Sequence, residues 1–127
     1  MVKTSGNPDT ALILRGGRKN VPNFDRVSVA SALARMHKNK LPAAIVVDAS
    51  HANSGYDPVR QAAACESVVR QRREGEKALV GVMLESFLVT GKQNIGPDMV
   101  YGKSVTDGCL GWEETETLLR KLHSLEG

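Results

Sequence analysis

Cysteine is scarce in this chain of 127 residues: Cys65 and Cys109 are the only two, so no disulfide framework is indicated. Aromatic residues make up 4%, which leaves almost no platform on which nucleic-acid bases could stack. Charge of one sign is not in large excess either. Seventeen basic residues against fourteen acidic give a net charge of +3 and a pI near 9.0. The densest basic stretch, residues 70–77, falls at a helix end and reads as a solvated face rather than a nucleic-acid surface. Such a mildly positive protein would still attract small phosphorylated substrates. No apolar run reaches the roughly 18 residues of a membrane span, and no signal peptide opens the chain, so a cytoplasmic location is expected. Internal repeats, low-complexity segments and linkers are missing too. The length suits one modest domain with a core of its own.

What is present is a set of three strand-like runs. The middle one, residues 43–47 (Ala-Ala-Ile-Val-Val), is continuously apolar and then turns polar as Asp48-Ala49-Ser50-His51. A strand buried on both faces reads this way, as in a parallel sheet covered by helices. An earlier run, Ala11 to Leu14, ends in Arg15-Gly16-Gly17, and a later one, Ala78 to Leu84, ends in Glu85-Ser86. Helical patterns separate them. Asp25 is expected to cap a helix with Val29, Leu33 and Met36 on one face, ending near Asn39. Asp57-Pro58 is a second helix start, leading through Ala62, Cys65 and Val69 to a stop at Gly75. Residues 85–106 read as a long irregular loop, and a last helix begins near Trp112, with Trp112, Leu119 and Leu122 marking one side and Leu118 and Leu125 adjacent. The order βα-βα-βα, with crossovers of one hand, places all three strands parallel.

In parallel α/β folds, ligands bind where strands leave the sheet at their C-terminal ends. Arg15, His51 and Glu85 close three successive strands at that end. His51 and Glu85 can approach one ion together, and Asp107 can return from the long loop as a third ligand. Imidazole with two carboxylates suits a divalent cation such as manganese, iron or zinc, with positions left for substrate. The competing reading of His51 is a local hydrogen bond, and that of Arg15 a structural salt bridge. In its functional reading, Arg15 grips a phosphate or carboxylate with two parallel hydrogen bonds. His37 and His123, on helices with basic neighbours, read as exposed bystanders, and Cys65 as core. Cys109 lies two residues from Asp107, a spacing that in an extended segment points the two side chains to opposite sides.

The residues together carry a resemblance. Thr-Ser-Gly-Asn at 4–7, Ile-Leu-Arg-Gly-Gly at 13–17 and Val-Asp-Ala-Ser-His-Ala-Asn-Ser at 47–54 match, in order, the C-terminal part of the class I 3-deoxy-D-arabino-heptulosonate-7-phosphate (DAHP) synthases. Gly-Glu-Lys at 75–77, Gly-Val-Met-Leu-Glu-Ser at 81–86, Tyr-Gly-Lys-Ser-Val-Thr-Asp at 101–107 and Cys-Leu-Gly-Trp-Glu at 109–113 continue the match. The chain thus resembles that family over nearly its whole length. The resemblance implies a (β/α)8 barrel enzyme of aromatic amino-acid biosynthesis, condensing phosphoenolpyruvate with erythrose 4-phosphate in the presence of a divalent metal of the manganese, iron, zinc or cobalt class. It implies that His51, Glu85 and Asp107 occupy metal-ligand positions, that Arg15 binds phosphoenolpyruvate, and that Asp48 is a substrate-side or supporting group. Phe87 departs from the polar residue expected after Glu-Ser, and the loop after Gln93 is slightly short for the family.

A complete barrel needs about 250 residues and eight strands. On this resemblance residues 1–127 form a single C-terminal fragment, a partial barrel of three βα units equivalent to the sixth to eighth. The family's metal-binding cysteine, its other phosphate-binding groups and its feedback-inhibitor region fall outside the chain; Cys109 matches a different family cysteine. The expectation is therefore a chain inactive alone, whose partner is a complementary N-terminal half or further copies of itself. The alternative is a non-catalytic fragment that self-associates and binds at most metal or phosphate.

Overall fold

The computed structural model describes residues 2–127. Three strands, β1 (Leu12–Leu14), β2 (Ile45–Asp48) and β3 (Leu79–Met83), form one parallel sheet in chain order with β2 at its centre. The expected parallel sheet is present, with shorter strands than the apolar runs suggest. Ala44 marks where the strand begins: its N–H turns back to the Pro42 carbonyl at 2.9 Å, while its carbonyl already accepts the Leu12 N–H at 2.8 Å. In β3 one residue is extra. Ile45 pairs with Leu79 but Val46 pairs with Gly81, leaving Val80 as a bulge.

The connecting helices lie on one face of the sheet. Helix α1 (Arg26–Lys38) starts at Asp25, whose carboxylate accepts hydrogen bonds from the Val27 and Ser28 backbone N–H groups at 3.0 Å each. Its Val29 and Met36 are buried and Leu33 packs beside them. After β2 comes a single helical turn, α2 (His51–Ser54). A 3-10 turn at Pro58–Arg60, capped by Asp57, then runs into α3 (Gln61–Arg73). Helix α4 (Trp112–Glu126) closes the chain against α3.

Two apolar clusters result. Leu14, Val29, Met36, Ile45, Val47, Val68 and Leu79 join the sheet to α1 and α3. Ala49, Ala64, Cys65, Leu110, Leu118 and Leu122 join α3 to α4. The buried stripe of α4 is therefore Leu118 and Leu122, four apart. Trp112 is 64% exposed and Leu119 51%, so the expected Trp112–Leu119–Leu122 side is corrected to one centred on the two buried leucines. Residues 85–106 are more ordered than expected. They contain β4 (Val89–Lys92), which pairs with β5 (Lys103–Ser104) in a second small sheet.

The opposite face of the main sheet has no such cover among the described residues. Ile13 is 49% exposed and Met83 45%, so the apolar strands are covered on one face only, the exposure expected of three strands that cannot close on themselves.

Two predictions follow from packing. Gly16 has φ +90°, and a Cβ there would sit 2.5 Å from the Ala52 Cβ. Gly16→Ala is expected to lower the stability by roughly 2–4 kcal/mol, from backbone strain and overpacking together. Gly6→Ala, at φ +79° but in open space, should carry only the backbone part. Urea midpoints for the two variants that coincide would show that the approach of Gly16 to Ala52 carries no cost.

Burial pushes the Cys65 thiol up from 9.0 to about 11, with Glu66 adding to the effect. The unfolded chain ionises this thiol above pH 9.0 while the folded chain keeps it protonated to about 11. Stability from this group is therefore complete below the lower value and lost as pH rises through the interval, by on the order of 2 kcal/mol. Cys65→Ala should flatten that alkaline decline in chemical denaturation; an unchanged slope would remove Cys65 as its source.

Candidate metal centre

The site is built where the three strands end. At the end of β2, Asp48 is 3% exposed, and its carboxylate accepts the Ser50 N–H at 2.9 Å. That bond curls the chain into α2 and turns His51 back over Asp48. His51 adopts φ +51°, a left-handed conformation that costs a non-glycine residue about 1–2 kcal/mol. Its Nδ1 lies 2.9 Å from the Asp48 carboxylate in a close but misaligned contact, with no hydrogen-bond partner of its own. The Tyr56 ring stands edge-on to the imidazole, 6.1 Å between centres.

With Nδ1 held toward Asp48, Nε2 faces two further carboxylates. It lies 3.9 Å from Glu85 Oε1 and 3.6 Å from Asp107 Oδ2. One donor atom from each of His51, Glu85 and Asp107 falls within 4.8 Å of the others. These gaps exceed hydrogen-bond reach, whereas bonds of about 2.0–2.2 Å to a shared ion put donor atoms roughly 3–4 Å apart. The donor set also fits by charge. Asp48, Glu85 and Asp107 bring three negative charges, and Arg15 returns one, its Nε 3.7 Å from Asp48 Oδ2. A divalent cation would balance the remaining two. The Arg15 side chain is 62% exposed, leaving its other nitrogens free for an anion.

Backbone pairing brings Asp107 back across the long connection. Cys109 and Gly91 exchange backbone hydrogen bonds at 3.1 and 2.8 Å. The Leu110 N–H donates to the Glu85 carbonyl at 3.0 Å, and the Phe87 N–H to the Leu110 carbonyl at 2.9 Å. Glu85 and the segment after Asp107 are thus laced together. Cys109 is buried, its sulfur 4.0 Å from Glu85 Oε2, and burial raises its thiol pKa. It stays outside the three-residue cluster.

The four strand-end and loop residues singled out from sequence, Arg15, His51, Glu85 and Asp107, meet at one place, with Asp48 between the first two. His37 and His123 are exposed on helices elsewhere. Two residues at the site carried no functional expectation. Asn53, 5% exposed, donates through Nδ2 to the Leu14 carbonyl at 3.0 Å and the Asp48 carbonyl at 2.8 Å. Its Oδ1 accepts the Asn23 N–H at 2.8 Å, and Asn23 in turn accepts the Gly16 N–H at 2.7 Å. Gln61, fully buried, bonds the backbone of Glu85 on both sides. The sequence signal for Gln61 was its place on the buried stripe of α3, three and four residues before Ala64 and Cys65.

Comparison with known proteins places the chain in a family. The model of the DAHP synthetase I family matches residues 1–120. The Phe-sensitive phospho-2-dehydro-3-deoxyheptonate aldolase of Escherichia coli (strain K12) is 47% identical over 124 residues, covering 96% of this chain and 35% of that protein. The Trp-sensitive enzyme of Salmonella typhimurium is 45% identical over 122 residues, covering 94% and 34%. A solved structure of the Francisella tularensis aldolase superposes with a TM-score of 0.88 at 36% identity, covering 96% of this chain and 36% of that one. The chain spans about a third of the length of the relatives it matches. With a family model aligned along nearly all of its residues, this chain belongs to the DAHP synthetase I family.

Proposed function

We propose that the chain supplies one part of a DAHP synthase active site: three ligands for a divalent metal and an arginine for phosphoenolpyruvate. The observation that carries this reading is the cluster of His51, Glu85 and Asp107, whose donor atoms converge within 4.8 Å beside Arg15. Family membership supports the substrates, phosphoenolpyruvate and erythrose 4-phosphate. The parallel sheet, with helices on one face only, supports reading the fold as three βα units of a (β/α)8 barrel whose inner face meets the remaining strands.

Each residue then has a task. His51 presents Nε2 to the shared site because Asp48 and the α2 turn hold the ring from behind. Glu85 and Asp107 supply negative charge that an ion must neutralise. Asp48 also stands beside Arg15, orienting a guanidinium whose exposed nitrogens bind the carboxylate or phosphate of the enolpyruvate. A bound ion of the manganese, iron, zinc or cobalt class would polarise the sugar aldehyde or activate a water. Because the chain covers about a third of its relatives, the groups that hold erythrose 4-phosphate are to be supplied by the rest of the barrel.

Two predictions test this reading. Calorimetric titration with Mn2+ should show weak binding, and His51→Ala should weaken it by about tenfold or more. Identical isotherms for parent and variant would remove His51 from the site. In an assay with phosphoenolpyruvate, erythrose 4-phosphate and Mn2+, the chain alone should give no turnover, and activity should appear when the missing part of a family barrel is added. Turnover by the chain alone, in a preparation free of host synthase, would overturn the partial-site reading.

The exposed Ile13 and Met83 favour a second, non-catalytic outcome in isolation, with copies of the chain covering one another's open sheet face and strand edges. Light scattering during size-exclusion chromatography should therefore detect species larger than 13.7 kDa. A clean monomer at micromolar concentration would show that the sheet is sufficiently covered as it stands.

A further inference from the structure

We propose that Gln61 is a positioning residue that sets the placement of the Glu85 carboxylate in the metal centre. The role rests on the reading of Glu85 as a ligand. Gln61 is the first residue of α3, has no exposed surface, and lies 24 positions from Glu85 in the chain. Its Oε1 accepts the Glu85 N–H at 2.8 Å, and its Nε2 donates to the Glu85 carbonyl at 3.0 Å. The side-chain amide thereby imitates a neighbouring strand. It pairs with one residue just past Met83, where β3 has ended and the main sheet no longer fixes the backbone.

The grip is complete on that residue. The Glu85 carbonyl also accepts the Leu110 N–H at 3.0 Å, so both of its acceptor positions are used and its single N–H is committed. With both peptide groups held, the backbone of Glu85 has little freedom, and the Cα–Cβ bond that aims its carboxylate at His51 is set from the side of α3. A buried glutamine is a costly way to fill helix-packing space unless both ends of its amide are bonded. Here both bonds go to the same residue, and that residue carries a converging carboxylate. Supporting groups around metal ligands commonly contribute about 10–100-fold in affinity when removed.

Gln71 provides an internal control. It lies on the same helix, is 6% exposed, and donates to the Phe24 carbonyl at 2.8 Å, away from the centre. The experiment titrates Mn2+ into the full chain by calorimetry and records the electron paramagnetic resonance line shape of the bound ion. The variants are Gln61→Met, Gln71→Met and Glu85→Gln, each checked for folding by circular dichroism. Gln61→Met should lower Mn2+ affinity about tenfold or more and alter the line shape. Gln71→Met, losing the same amide from the same helix, should leave both as in the parent. Should Gln61→Met not fold, Gln61→Asn, whose amide is too short to reach both Glu85 groups, takes its place with the same expectation. Parental binding by the Gln61 variant while Glu85→Gln binds weakly would overturn the role of Gln61 alone. Equal weakening by Gln61→Met and Gln71→Met would overturn it too, as a general loss of stability. A Glu85→Gln variant that binds as the parent does, or a parent that does not bind, would overturn the metal centre and this role with it.

Discussion

One buried side chain holds the ends of the first two strands together, and the site depends on it. A parallel strand that leaves its sheet carries backbone carbonyls with no further partner, and leaving such groups buried and unbonded costs about 1–3 kcal/mol each. Asn53 answers for two of them at once, Leu14 on β1 and Asp48 on β2. The residues that follow those carbonyls, or carry them, are Arg15 and Asp48. An amide with two donors, placed where two strands end side by side, therefore fixes the spacing between Arg15 and the carboxylate that lies behind His51. The chain of bonds from Asn53 through Asn23 to Gly16 extends the same brace into the turn beyond Arg15.

The centre it supports works against the stability of the fold. Three carboxylates face one imidazole with a single guanidinium nearby, and like charges at such distances repel. His51 adds a left-handed backbone conformation. The approach of the Glu85 and Asp107 carboxylates and the backbone conformation of His51 are costs in the folded chain, and such costs gather where a ligand is to be bound. The surrounding structure is correspondingly firm, with α2 buried along its length and the Glu85 backbone bonded from both sides. Rigidity in the supporting shell and repulsion among the donors are two aspects of preorganisation, since donors free to move apart would relieve the repulsion.

Much of this was legible in the sequence, for reasons specific to certain residues. Continuous apolar runs marked the three strands, and Asp25 and Asp57-Pro58 marked helix starts by their local capping chemistry. The strand-end positions of Arg15, His51 and Glu85 pointed to a shared site because a parallel sheet brings such ends to one side. The β4–β5 pair was not legible: Gly91, Lys92 and Gln93 show no alternation, and the bonds that order this region are non-local, such as Gly91 with Cys109. On α4 the expected side included Trp112 and Leu119, whereas the spacing of Leu118 and Leu122 decides which side is buried. Asn53 and Gln61 passed unnoticed as ordinary polar residues. Their importance lies in which backbone groups they reach, and composition does not encode that. The positive φ of His51 likewise has no signature in a histidine.

The bulge at Val80 makes the arrangement a matter of parity. Side chains on a strand alternate between faces, so a count that is off by one inverts everything downstream. Leu79 begins β3 level with Ile45, under the helices. Without the extra residue, Val80 would stand beside Val46 and Gly81 beside Val47, placing a glycine beneath α3 and turning Val82 outward. With it, Val82 aligns with Val47 and Met83 with Asp48. The even-numbered Val82 thus meets the odd-numbered Val47, and the chain arrives at Glu85 on the proper step. Length can vary in the turn around Gly75, before the count begins. Between Leu79 and Glu85 it cannot vary by a single residue without exchanging the core face for the open one.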